Sequence, residues 1–214
     1  MSSSTNFRIY FRKEVIIFRV TSGEFGALSN MAPDFPVFVG GTRIATIEAL
    51  YQACRYPDRP EIQAEIVDQP SPMTAKMKSK KYHKLTRPDW DQRRVNIMRW
   101  CLRVKLSQNW MKFGATLDKT GDAPIVEESR KDDFWGAKPN EDGTLSGMNV
   151  LGRLLMELRQ EYKASDNEKL RVVHQPDIPN FFFLGKPLGE ITAAESVGIY
   201  EGVQSSLFNQ RPAE

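Results

Sequence analysis

"TIEALYQAC" (Thr46–Cys54) decides how the rest of the chain is read. Ile47, Leu50, Tyr51 and Cys54 follow an i, i+3, i+4, i+7 spacing, which places them on one stripe of a helix. Thr46 precedes the stripe as an N-cap residue, and "RYPDRP" (55–60) ends it. Glu48 stands off the stripe in the first turn, at the border of the core, where a cleft could open. The positive end of the helix dipole favours an ionised carboxylate there. Two readings stay open from these residues alone. Glu48 is either an acid that complements a helix end, or a carboxylate able to stabilise a cationic transition state or accept a proton.

Upstream, "FPVFVGGTRIA" (35–45) reads as a hairpin turning at Gly40-Gly41, and "VIIFRV" (15–20) reads as a strand. The loop "SGEFGALSNMAP" (22–33) lies between them. Downstream, a short helix is expected around 62–67, and Ser71 and Pro72 mark the start of another in "SPMTAKMKSKKY" (71–82). A long helix over 90–108 puts Trp90, Ile97, Cys101 and Val104 on one face, and a shorter one covers 110–118. "APIVEES" (123–129) reads as a strand, and "KDDFWGAKPNEDGTLSGMN" (131–149) as a loop. "VLGRLLMELRQEY" (150–162) is a helix with Val150, Leu151, Leu154, Leu155 and Leu158 inward. Composition shifts near Ala164. The expected class is α+β, mostly helical with a small sheet. The compact domain is expected over 1–163, with a C-terminal extension over 164–214 that docks a strand through Phe181 to Leu184.

With 214 residues and 40% hydrophobic content the chain can bury a real core. It has no run of about 18 apolar residues, and "MSSSTNFRIYFRKE" (1–14) has no apolar signal core, so a cytoplasmic protein without a membrane span is expected. Cys54 and Cys101 are expected as buried thiols. A net charge of +3 argues against a polybasic nucleic-acid binder. The local cluster "KMKSKKYHK" (76–84), with Arg93 and Arg94, is either a solvated face or a surface that meets phosphates. His83 and His174 are far apart. No Cys/His metal spacing, Ser/His/Asp set, GxGxxG or Walker A loop is present, so neither metal nor cofactor is expected. Chemistry must come from carboxylates, amines, amides and aromatics.

Four further stretches could supply it. In "DDFWGA" (132–137), Asp132 precedes Phe134, Trp135 and Gly136; an aromatic followed by glycine lets a flat ligand stack beside backbone, unless the rings merely anchor an acidic loop. Ser29 and Asn30 in "LSNMAP" (28–33) can hold a base edge or a ribose hydroxyl, or cap a turn. Gly147 and Asn149 precede the last domain helix, as a cap or as a phosphate seat. Met73, Lys76, Met77 and Lys80 share a helix face expected to flank the core. A partly desolvated Lys76 there could meet phosphate or act as an amine nucleophile, the alternative being a snorkelling side chain.

Taken in order, "FGALSNMAP" (25–33), "ATIEALYQACRYPD" (45–58), "SPMTAKMKSKK" (71–81), "TGDAPIVEES" (120–129), "DDFWGA" (132–137) and "GMNVLGRLLMELR" (147–159) resemble the NADAR family. These are NAD- and ADP-ribose-related proteins that include the YbiA-like ones. The resemblance covers about residues 15–162 and implies a compact α+β domain that binds ADP-ribose-like or ribosyl ligands. It implies cleavage of a bond between ribose C1 and nitrogen. The substrate would be ADP-ribosylated guanine in DNA or RNA, with an ADP-ribosyltransferase toxin as functional counterpart, or a phosphoribosylamino intermediate of riboflavin synthesis. A non-catalytic ADP-ribose-binding module is a third class.

Carried over, the family's helix acid falls on Glu48, its tryptophan on Trp90, its D-x-[FY]-W-G on Asp132, Phe134, Trp135 and Gly136, and its N-x-L-G on Asn149, Leu151 and Gly152. The resemblance implies that Glu48, alone or with Asp132, stabilises an oxocarbenium-like ribose or orients water. Trp90 and Trp135 would stack on base or sugar, and Ser29 and Asn30 would hold ribose or adenine. Arg19 and the Asn149 helix end would contact diphosphate, and Lys76 would form a Schiff base with an opened ribose. The chain departs from the YbiA-like pattern at Arg19 (tyrosine there), at Ala49 (histidine there) and in "AKPNEDGTLSG" (137–147), while "SNMAP" and "AKMKSKK" look closer to the ADP-ribose-processing members.

Overall fold

In the computed structural model, residues 7–164 and 166–193 are described. Strand β1 (Arg8–Tyr10) is followed by β2 (Ile16–Phe18), the hairpin strands β3 (Val37–Val39) and β4 (Thr42–Ile44), and helices α1 (Ile47–Ala53), α2 (Pro60–Val67), α3 (Pro72–Lys81), α4 (Trp90–Gln108) and α5 (Trp110–Lys119). Then come β5 (Ile125–Glu127), β6 (Lys138–Pro139), β7 (Leu145–Gly147) and α6 (Val150–Lys163). The class is the α+β one expected from the sequence. None of the described helices is long and apolar enough to cross a membrane.

Local chemistry explains most boundaries. Gly40 and Gly41 adopt φ of 57° and 77°, the pair of positive values that a two-residue hairpin turn requires. Thr46 accepts a hydrogen bond from the Ala49 amide at 3.3 Å, and Ser71 accepts one from the Met73 amide at 3.2 Å, with Pro72 opening α3. The α4 face bearing Ile97, Cys101 and Val104 is buried, as is the α6 face bearing Leu151, Leu154, Leu155 and Leu158. Cys54 and Cys101 are buried free thiols.

Three expectations are corrected. The stretch 131–149, expected as loop, contains β6 and β7, and β7 also pairs with β1 to give the antiparallel order β1-β7-β6. Its polar composition hid the strands; Asp142 accepts from both the Thr144 amide and hydroxyl and tightens the turn between them. The α3 face with Met73, Lys76, Met77 and Lys80 is exposed rather than set against the core. Small Ala75 and Ser79 are the packed residues instead, and the Tyr56 hydroxyl donates to the Ser79 carbonyl at 2.6 Å. Asn149 is not a side-chain cap. It adopts a left-handed φ of 47°, its Nδ2 donates to the Ile125 carbonyl at 2.8 Å, and its Oδ1 accepts from the Glu127 amide at 3.1 Å.

The segment after 164 packs onto the helices. A 3-10 turn (Asn167–Arg171) leads to β8 (Val172–Val173), which pairs with β11 (Ile191–Thr192), while β9 (Phe182–Phe183) and β10 (Lys186–Pro187) form a local hairpin. Phe181 meets Trp100 edge-on at 5.2 Å. Gln63 clamps the hairpin, donating to the Phe182 carbonyl at 3.0 Å and accepting from the Leu184 amide at 2.6 Å. The rest of the expected extension, 194–214, lies outside the described residues.

α6 lies close on β5: a Cβ at Gly152 would sit 2.1 Å from the Ile125 carbonyl oxygen. Asn149 is the polar half of the same junction. Asn149→Ala should therefore destabilise the fold by about 2–4 kcal/mol, through two buried backbone groups left unpaired. Urea unfolding at pH 7 measures this.

Candidate active site

Parallel pairing of β2 with β5 sets Phe18 opposite Glu127 and brings the end of β5 beside the Ser29–Asn30 loop and α1 in one cleft of about 810 Å³. Glu48, Glu127, Glu128 and Asp132 are the carboxylates that line it. Arg19, Arg55, Lys76 and Arg94 are its principal cations, and Tyr51, Phe134 and Trp135 its rings.

Glu48 is 7% exposed. Its amide donates to the Asn30 carbonyl at 3.0 Å, its Oε1 accepts from Gln52 at 2.9 Å, and the Lys76 ammonium stands 3.9 Å from the same oxygen. Lys76 reaches inward from the exposed face of α3, so it is accessible and paired at once. Asp132 has a different task. Its Oδ1 accepts the amides of Phe134 at 3.0 Å and Trp135 at 2.9 Å, fixing where both rings point. Trp135 stands edge-on to Tyr51 at 5.6 Å and to Phe134 at 5.0 Å.

Among the residues expected from the sequence, Arg19, Ser29, Asn30, Glu48, Lys76, Asp132, Phe134 and Trp135 come together here. Trp90, Gly136, Gly147 and Asn149 do not line the cleft. Trp90 is buried behind it, 5.0 Å from the Tyr51 ring, which corrects the expectation that it stacks on a ligand. Gly136 and Gly147 allow backbone crowding: a Cβ at Gly147 would lie 2.4 Å from the Gly136 carbonyl oxygen. The phosphate seat expected at the start of α6 is also corrected. The amides of Met148, Asn149, Val150 and Leu151 already donate to the carbonyls of Asp133, Gly136, Phe134 and Trp135 at 2.7–3.0 Å. A helix N-terminus whose donors are satisfied by backbone offers little to an anion. Arg19 leans 3.6 Å from Glu128.

Glu127 is the residue that sequence reasoning missed. Burial, reinforced by Asp132 and Glu48 and opposed by Lys76, pushes its carboxyl up to about 7. The available signal was an acid closing an apolar strand, in "IVE" (125–127). Glu48 and Glu127 thus differ: one carboxylate is held by an amide and an ammonium, and the other carries a proton near neutrality. Such a divergence suits one base or charge stabiliser and one acid.

The same shift touches stability. Glu127 binds its proton more tightly folded than unfolded, so its contribution is fully present below about 4.5 and is lost as pH rises through about 7. The loss is on the order of 3 kcal/mol. Glu127→Gln should flatten the dependence of unfolding free energy on pH between 5 and 8 and gain most over the parent at pH 8. Urea unfolding at the two pH values reads this directly.

Residues 17–163 match the NADAR domain. N-glycosidase YbiA of Escherichia coli is 35% identical over 147 residues, covering 69% of this chain and 88% of that protein. Riboflavin biosynthesis protein VVA0006 of Vibrio vulnificus is 34% identical over 149 residues, which span 70% of this chain and 39% of that one. The solved NMR structure of Escherichia coli YbiA superposes with a TM-score of 0.60 at 32% identity, over 78% of this chain and 94% of that one. With the domain matched over most of its length and the fold shared, the chain belongs to the NADAR family.

Proposed function

We propose that the protein is an N-glycosidase that hydrolyses the bond between ribose C1 and a nitrogen. The observation that carries this is the placing of Glu48 and Glu127 in one cleft, with Glu127 pushed up to about 7 by burial and Glu48 held by Gln52 and Lys76. Glu127 donates its proton to the departing nitrogen. Glu48 faces the positive charge that develops at C1 and directs the incoming water. Burial, with the charge of Asp132 adding to it, keeps Glu127 protonated, and Asp132 fixes the Phe134–Trp135 pair against the leaving base. The names of the YbiA relatives, N-glycosidases, agree with this reaction class.

For the substrate, the reading is ADP-ribose carried on a guanine base of DNA or RNA, with an ADP-ribosyltransferase as the activity it reverses. An open cleft of about 810 Å³ is large for a monosaccharide phosphate alone and falls in the range of roughly 300–1,000 Å³ typical of ligand sites. A second reading, a phosphoribosylamino intermediate of riboflavin synthesis, draws support from the relatives named as riboflavin biosynthesis proteins. Lys76 has a covalent role in the first reading. Once the ribose opens to its aldehyde, the Lys76 amine adds to C1 and loses water to give a Schiff base, with Glu48 at 3.9 Å to exchange the protons.

Incubation with a guanine-ADP-ribosylated oligonucleotide should release ADP-ribose, while the phosphoribosylamino pyrimidine is turned over slowly or not at all; the reverse order selects the second reading. Glu48→Gln should lower kcat by about 10²–10⁴-fold, and an unchanged rate removes Glu48 from the chemistry. Because Glu127 acts as the protonated form, kcat/KM should fall as pH rises through about 7. Borohydride added during turnover should leave a ribosyl adduct on Lys76; an unmodified mass spectrum eliminates the Schiff base.

A further inference from the structure

Four rings run in contact from behind the cleft into its wall: Trp90, buried behind it, to Tyr51 at 5.0 Å, Tyr51 to Trp135 at 5.6 Å, and Trp135 to Phe134 at 5.0 Å. Each terminal ring carries an arginine guanidinium over its face. The Arg55 guanidinium carbon is 4.2 Å from the Trp90 centroid, and that of Arg94 is 3.7 Å from the Phe134 centroid. A cation–π contact of this kind holds the guanidinium in place while leaving N–H donors for an acceptor.

The acceptors are missing. Buried Nε atoms of Arg55 and Arg94 have no hydrogen-bond partner, and neither does the buried Tyr51 hydroxyl. Among the described residues no carboxylate lies within ion-pair distance of Arg55, and Arg94 has only Asp91, 3.6 Å away and itself largely in solvent. All three side chains line the cleft. Burial holds the Tyr51 phenol well above its ordinary range, with Arg55 opposing and Glu48 adding to the shift, so the hydroxyl is a neutral donor. Three donors left unsatisfied in one place are costly unless something accepts from them.

We propose that Arg55, Arg94 and the Tyr51 hydroxyl form a phosphate subsite of the cleft, which takes the phosphate or diphosphate of a ribosyl ligand. The forked guanidinium edges match phosphate oxygens, and the Tyr51 hydroxyl adds a third donor in the same cleft. Glu48, one helical turn before Tyr51 and Gln52 on α1, sets the reacting end of the ribose apart from its phosphorylated end. The subsite rests on the N-glycosidase reading for its ribosyl ligand, and the three residues act there as binding groups, not as participants in bond cleavage.

The test is calorimetric titration of the full chain with ribose, ribose 5-phosphate and ADP-ribose. Ribose 5-phosphate and ADP-ribose should each bind at least about 10-fold more tightly than ribose, and the two ligands separate a monophosphate seat from a diphosphate one. Arg55→Gln and Arg94→Gln should each weaken the phosphorylated ligands by about 10–100-fold. Tyr51→Phe removes a hydroxyl that bonds to nothing in the protein, so it should fold as the parent does and still lose about 3–10-fold for phosphorylated ligands. A purely structural tyrosine would show no such loss. Equal affinity for ribose and ribose 5-phosphate, or parental binding of ribose 5-phosphate by both Tyr51→Phe and Arg94→Gln, overturns the subsite. Binding that behaves as expected without hydrolysis of any ribosyl–nitrogen substrate keeps the subsite and removes the N-glycosidase reading instead.

Discussion

The site depends on how the start of α6 is seated. A helix begins with amides that have no partners in the helix itself. Here the Asp133–Gly136 carbonyls take them, and Asn149 ties the same turn sideways to β5. One junction therefore fixes three things at once: the loop that carries Phe134 and Trp135, the strand that ends in Glu127, and the helix beneath both. Gly152 permits the approach, because any side chain there would enter the Ile125 carbonyl. Residues that resemble a ligand motif in the sequence, Gly136, Gly147 and Asn149, serve this seating.

A second anchor lies on the other side of the cleft. Lys105 is fully buried on α4, with its ammonium donating to the Ala27 carbonyl at 2.6 Å and the Ser29 carbonyl at 3.0 Å. The rings of Phe35 and Phe113 lie 4.7 and 4.3 Å from it. Burial alone pulls this amine down to about 7, and the two carbonyls and two ring faces are what the charged form has in place of water. The loop it grips passes directly to Asn30, whose carbonyl receives the Glu48 amide. Positioning of the helix that carries Glu48 is thus relayed from a lysine that does not line the cleft.

Helical periodicity made α1, α4 and α6 readable from the chain, because each buries a stripe whose spacing is its own signature. Ser71-Pro72 and Gly40-Gly41 marked boundaries through backbone chemistry that does not need tertiary context. Strands β1, β6 and β7 were invisible for the opposite reason: two or three residues long and partly polar, they exist only through pairing, β1 with β7 across more than a hundred residues and β6 with β7 in a local hairpin. In the site, Glu48 and Asp132 stand in recognisable blocks. The proton affinity of Glu127 comes first from burial, then from Asp132 and Glu48; the acid that closes the apolar strand hints at the site, but its burial exists only in the fold. The orientation of α3 was misjudged because methionines suggest a buried face, whereas Ala75 and Ser79 allow closer packing.

The segment 167–193 lies beyond the matched domain, yet Leu170, Val173, Ile178, Phe181, Phe183, Leu188 and Ile191 join the same core as the domain's helices. None of its residues lines the candidate cleft. It seals the flank formed by α2 and α4, through Gln63 and Trp100. Rigidity and chemistry are thereby assigned to separate faces of the molecule. Drift in the segment can tune heat tolerance while leaving turnover alone, and the cleft can change its substrate without loosening the frame.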